Sequence, residues 1–336
     1  MIDKIYKKLA NLIDEDKKYI IFYDGKVLKT NTTGIDCKVS EDDYFPTDEV
    51  YTREKNDLEK EILDNKAFST TIHIYNNIDL KLVHINKDLK YLNYNIVVKD
   101  NTRVNITNIY FDIKQPVKVL MEMICEVNSK VHLNTFINAS VEVDTISNIY
   151  CLDYATLYLT DMFLNQDKTK HIANVFLVNN DTESHMTNVI INNSGHEQNY
   201  DYNIYHDALN TKSSIHNFGI VQKESISVFD NKGIIKEGAK GSDLSQQTKG
   251  IILDLYSTII ANPILEIDEN DVAANHGASI GAIDEKDLYY LMSRGLTREH
   301  SERLLIEAFI SPYFRYVDDV KLRNYAIREV NKNLDN

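Results

Sequence analysis

Between about Phe68 and Ile283, apolar and polar residues alternate in short runs: TIHIY, LKLVHI, NYNIVV, RVNITNIYF, KVHLNTFI, SVEVDTI, ATLYLTDMFL, NVFLV, MTNVIIN, SIHNFGIV and SISVF. A period of two sends successive side chains to opposite faces, which predicts strands with one face on a core. Turn-prone Asn, Asp, Lys or Ser separates most of the runs. They recur at irregular intervals of about ten to fifteen residues, with no propeller-blade signature and no hexapeptide repeat. An all-β region this long closes as a sandwich, a barrel, a propeller or a stacked solenoid. Irregular spacing fits a β-helix best, and its open ends call for caps.

The flanks follow other periods. Ile5, Leu9, Leu12 and Ile13 mark one face of a short helix, and YIIFYDGKVLKTN reads as a hairpin turning at Asp24-Gly25. An acidic stretch, Glu41 to Tyr51, leads to a charged segment from Thr52 to Lys66, expected as a surface helix rather than a site. After Asp284 the period switches to 3.6: Asp284 is the expected N-cap, Leu288, Leu291 and Met292 share a face, and Gly295 stops the helix. Thr297 then caps a second helix ending before Pro312, and a third is expected from about Arg315 to Leu334. The expected fold class is mainly β: a small N-terminal α/β region (1–67), a parallel β-helix core (68–283) and a C-terminal helical region (284–336).

Composition narrows the function. A net charge of −14 repels phosphate backbones and argues against nucleic acid. Cys37, Cys125 and Cys151 are far apart, form no Cys-x-x-Cys unit and suit a reducing cytosol. The charged N-terminus has no apolar signal-peptide core, and nowhere do eighteen apolar residues run together, so a cytoplasmic protein without membrane contact is expected.

No phosphate-binding loop, dinucleotide fingerprint, nucleophile elbow or His-Glu-x-x-His motif is present. His73, His84, His132, His171, His185, His206 and His216 fall in strand-like runs and read as half-exposed strand positions. A glycan-processing β-helix would bring carboxylates together on one face, and Glu122, Glu126, Glu142 and Asp144 are the available set; sugar platforms also favour tryptophan, of which there is none. His276 stands apart. In AANHGASIGAIDE, Ala273, Ala274, Gly277 and Ala278 clear the space around it. It is either a hydrogen-bonded histidine in a tight turn where the solenoid ends, or an imidazole left open to a metal and a second surface.

FDNKGIIKEGAKGSDLSQQTKGIIL (229–253), NPILEIDENDVAANHGASIGAIDEKDLYYLMSRGL (262–296) and the following LLIEAFI resemble the C-terminal half of the SufB/SufD family, scaffold proteins of SUF iron–sulfur cluster assembly. The resemblance implies a right-handed parallel β-helix and a non-catalytic scaffold. It also implies pairing with a SufB-like paralogue, or with itself as a homodimer, and docking of the ABC-type ATPase SufC. Sulfur would come indirectly from a cysteine desulfurase system. On this resemblance His276 is a candidate ligand to a transient cluster shared with the partner chain. Asp284, Leu288, Tyr289, Leu291, Met292, Arg294, Gly295 and Phe309 would belong to the ATPase-docking region. SufB-type chains carry a cysteine in the region of Tyr256, Ser257 and Thr258, and a glutamate where Gly277 stands; the His-Gly pair here is SufD-like. SufD members often have a cysteine at the position of Ala274, so that soft ligand is missing.

Overall fold

The computed structural model describes residues 9, 12–13, 16–32, 35–40, 51–315, 317 and 319–335. Among them, strands alternate between two sheets from β4 (Ser69–Ile74) and β5 (Ile78–Ile85) to β18 (Thr258–Ile267) and β19 (Ala273–Gly281). Even-numbered strands form one sheet and odd-numbered strands the other, each pairing in parallel with the strand two positions on. The result is a parallel β-solenoid of about seven turns, as the alternating pattern predicted. Its rungs lengthen along the chain, from 26 residues between Thr145 and His171 to 29 between Asn174 and Asn203 and 32 between Asp230 and Asn262. That drift is why no fixed repeat is visible in the sequence.

Side chains in register stack into rows along the solenoid. Leu80, Ile106, Leu133, Leu159, Met186 and Ile215 make one inward row, all of it buried. One corner is built from left-handed residues: Asn101, Asn128, Asp181 and Asn210 all have φ between 55° and 60°. Asn and Asp tolerate that conformation and tie successive corners together, as where Asn128 donates to Asn101 Oδ1 at 2.7 Å.

The N-terminal end of the solenoid is closed. The hairpin forms as expected, with β1 (Lys18–Tyr23) and β2 (Lys26–Asn31) joined through positive φ at Asp24 and Gly25. β1 extends the odd sheet beside β5, and antiparallel β2 finishes it. Antiparallel β3 (Ile35–Ser40) finishes the even sheet. Leu9, Leu12 and Ile13 are buried, but most of the predicted first helix and the stretch 41–50 lie outside the described residues.

Helix α1 (Asp57–Asn65) is shorter than the charged segment suggested, because Asn56 and Glu59 form a capping box at its start. It is also not simply a surface helix. It lies on the outer face of the even sheet, where Ile62 packs with Leu120, Ile146 and Ile172. Helices α2 (Glu285–Ser293) and α3 (Arg298–Ile310) start at Asp284 and Thr297 as predicted. A 3₁₀ turn (Ser311–Arg315) delays α4 to Val320–Asp335, where Asp319 accepts from the Leu322 N–H. The inner sides of α3 and α4 cover the outer face of the odd sheet over Phe136, Met162 and Val189.

Candidate functional site

Among the described residues, no strand caps the C-terminal end of the solenoid as β2 and β3 cap the N-terminal end. β19 is the edge of the odd sheet, next to β17 (Asp243–Ile252), and β18 is the edge of the even sheet. Nearly every residue of β19 is exposed. Ile267 and Ile280, at 41 % and 37 % exposure, are core-type side chains that no further rung covers.

His276 belongs to the inward row described above. Ile215 is in register with Gln246, and Gln246 with His276. The row that is aliphatic for six rungs therefore ends in an amide and an imidazole. Gln246 is buried and donates to the Ile264 carbonyl at 3.4 Å, whereas His276 is exposed and has no hydrogen bond among the described residues. It is not held in a tight turn, as one of the two sequence readings had it, but lies within a strand.

Ala273 donates to the Ser242 carbonyl, so the alternation of a parallel ladder turns the peptide groups of Ala274, His276, Ala278 and Ile280 toward open space. On β18, Thr258 donates to Ser225, which puts Pro263 at an outward-facing position where its missing N–H costs no ladder bond. β19 thus presents an unbroken row of donors and acceptors, and β18 an interrupted one.

No thiol accompanies His276. Cys125 and Cys151 are buried, in register on adjacent even strands, and Cys37 lies on β3 at the other end of the even sheet. Both buried cysteines are core residues; the contact with Cys151, and then burial, push the Cys125 thiol well above its usual range. Among the described residues, no three His, Cys, Asp or Glu side chains converge on one point. A single imidazole cannot hold a cluster, so His276 fits that cargo only as one ligand among several. In the region 256–258, where a cysteine would sit in a SufB-type chain, Tyr256 and Ser257 form an Asp254-centred turn and Thr258 opens β18: Ser257 donates to Asp254 Oδ2 at 2.7 Å, and Tyr256 is exposed.

The helical end is divided. Tyr289, Tyr290 and Met292 of α2 are exposed, at 76 %, 57 % and 42 %, and Leu291 is half-buried. Leu288 is buried and anchors α2, so it is not available to a partner as expected. Phe309 is also turned inward, meeting Phe218 edge-on at 5.5 Å. Arg294 lies over the Tyr290 ring at 5.3 Å, and Gly295 follows with a φ of +96°. Asp284 caps α2 through the Lys286 N–H.

The histidines divide in a way the strand pattern did not reveal. His84, His171 and His206 are buried rather than half-exposed. Alternation identifies a face but not whether it is the inner one. Burial lowers the His84 pKa to about 3 and that of His206 to about 4, keeping both neutral.

Residues 84–309 match the family described as SUF system FeS cluster assembly, SufBD core domain. The chain belongs to the SufB/SufD family. Similar curated proteins include the iron–sulfur cluster assembly protein SufD of Bacillus subtilis, 38 % identical over 115 residues, which is 34 % of this chain and 26 % of that protein. SufD of Plasmodium berghei is 31 % identical over 114 residues, 34 % of this chain and 8 % of that one. A SufBD family protein of Staphylococcus saprophyticus is 31 % identical over 121 residues, 35 % of this chain and 26 % of that one. The matched stretches thus span about a quarter or less of these relatives' lengths. Within the family the chain is SufD-like, in agreement with His276-Gly277. No helix among the described residues is long and apolar enough to cross a membrane.

Proposed function

We propose that this chain is a non-catalytic scaffold subunit of SUF iron–sulfur assembly that works through its open C-terminal end. β19 pairs with an edge strand of a SufB-like chain, and His276 becomes one ligand to a nascent cluster whose thiolates the partner supplies. The exposed face of α2 docks the SufC-type ATPase. The nucleotide chemistry then sits on that chain, and the setting is the cytoplasm.

One observation carries the reading: His276 ends an inward-facing row at an edge whose peptide groups are unpaired. Gly277 supports it. A Cβ at that position would meet nothing within 4 Å, and its φ is not in the glycine-favouring range, so no described residue requires a glycine there. The need for space lies outside the chain, in whatever approaches β19. A homodimer is disfavoured because it would bring together two imidazoles and no thiolate from this end of the solenoid.

The test is anaerobic affinity purification of the tagged chain, wild type and His276→Ala, with partner identification by mass spectrometry and iron and sulfide assay. The reading predicts that both forms recover an ABC-type ATPase and a cysteine-bearing paralogue, and that only the wild-type complex carries cluster. Recovery of neither partner, or equal cluster in the variant complex, would sink it.

A further inference from the structure

The solenoid interior is not wholly apolar. Thr135 and Ser147 lie in inward rows of the two sheets, next to the buried Leu133, Met121 and Ala173, yet both are part-exposed. Rungs lie on either side of them, so that exposure belongs to an internal void. One rung on from Thr135 is Asp161, in register with it and only 1 % exposed. Asp161 Oδ2, Asn188 Oδ1, His171 Nε2 and the Tyr202 hydroxyl are all buried without a hydrogen-bond partner.

The orientation of these groups is informative. Asn188 is in register with Asp161, and its Nδ2 is committed to Asn217 Oδ1 at 2.8 Å, which turns Asn188 Oδ1 back toward the carboxylate. Asp161 Oδ2 and Asn188 Oδ1, on adjacent rungs, are thus two buried acceptors that no hydrogen bond among the described residues satisfies. His171 Nδ1 lies 2.6 Å from Thr145 Oγ1, and Nε2 lies 3.4 Å from Asp161 Oδ2. That separation is too long for a good hydrogen bond. It does match the edge of a coordination polyhedron, because two ligands about 2.1 Å from one ion lie about 3.0–3.4 Å apart.

We propose that this interior site binds one divalent transition-metal ion, with Asp161 Oδ2 and His171 Nε2 as its strong ligands. Asn188 Oδ1 and water held by Thr135 and Ser147 complete the shell. The mixed carboxylate, imidazole and amide set suits manganese or iron(II) rather than a thiophilic ion such as copper(I). His171 Nδ1–H donates to Thr145, which leaves the Nε2 lone pair aimed at the ion. The site is remote from His276 along the solenoid and does not depend on how that residue is read.

The full chain is purified anaerobically from manganese-supplemented cells, passed through chelator and gel filtration, and analysed for bound manganese. About one ion per chain is expected in the wild type and in His276→Ala, and none in Asp161→Asn. Asparagine keeps the size of the aspartate and offers its own N–H to Asn188, so the variant should melt no lower than the metal-free wild type. On the wild type itself, electron spin-echo spectra of the bound manganese should show nitrogen coupling from His171. A chain that retains no ion, retains it equally in Asp161→Asn, or gives no nitrogen coupling overturns the proposal; the void then holds water only.

Discussion

Proline at position 278 is the most direct test of the open edge. Ala278 lies within β19 with its N–H directed away from β17, so Ala278→Pro leaves the β17–β19 ladder intact. It also repeats on β19 what Pro263 already does on β18. In the assembled state it removes one inter-chain hydrogen bond, worth about 1 kcal/mol net, and strands the partner's carbonyl at a further cost of about 1–2 kcal/mol. Those figures sum to about 2–3 kcal/mol, or roughly 30- to 150-fold weaker association. The monomer should lose little, because edge positions tolerate proline. Sedimentation of the purified chain with its SufB-type partner measures the association, and thermal unfolding of the chain alone checks the fold. Association within threefold of wild type, with an unchanged melt, would mean that β19 does not pair with another strand and that the exposure of Ile267 and Ile280 has another cause.

Replacing Leu291 and Met292 together with aspartate should abolish ATPase capture while leaving the SufB-type partner bound, as read by pull-down; retained ATPase would move the docking surface off α2. Glu59→Gln should cost about 2–4 kcal/mol in urea unfolding at pH 7, because it leaves the Arg53 guanidinium without its buried partner. Burial alone would raise the Glu59 pKa, but its bonds to Arg53, Asn56 and Asn148 hold it below the usual value. Its contribution is therefore complete above the unfolded carboxylate pKa near about 4.3 and fades as pH falls through the folded value, so Glu59→Gln should flatten the acid limb below about pH 5. His84 and His206 act in a higher window: the unfolded chain takes up their protons below about pH 6.5 while the folded chain resists until pH about 3 and about 4, so stability should fall as pH drops from 6.5 toward 4. His206→Gln should remove part of that slope, and an unchanged slope would mean that His206 is not buried neutral.

The strands, the hairpin at Asp24-Gly25 and the caps at Asp284 and Thr297 were legible because each rests on local chemistry: a period of two, a turn pair that accepts positive φ, and an oxygen that accepts a backbone N–H. What stayed hidden depends on which face turns inward. Asn108, Thr135, Asp161, Asn188, Asn217 and Thr248 form a polar row inside the solenoid; each shares the parity of the inward-facing residues two places before and after it, and only its polar type hid that. Glu59 failed differently. A helix of Asp, Glu and Lys reads as solvated, and the partners that make its burial tolerable, Arg53 and Asn148, lie on a strap before it and a strand far downstream. His276 was singled out by its small neighbours, but that it ends a row was invisible without the register.

The two ends of the solenoid also show why position rather than residue type makes His276 a candidate ligand. His84 occupies an inward place near the closed end, stacked between Phe22 and Tyr110 at 4.8 and 4.9 Å, and burial makes it inert. His276 occupies an inward place on the last rung, where the layer that would bury it is missing. The β1–β2 hairpin and β3 spend three strands closing one end against edge pairing. At the other end, among the described residues, Pro263 restrains pairing on β18 and β19 carries no such interruption. An edge left open on one strand, with its interruption on the other, favours one register of association over sliding along both. A partner held in that register covers the stranded isoleucines and meets the imidazole in the same contact.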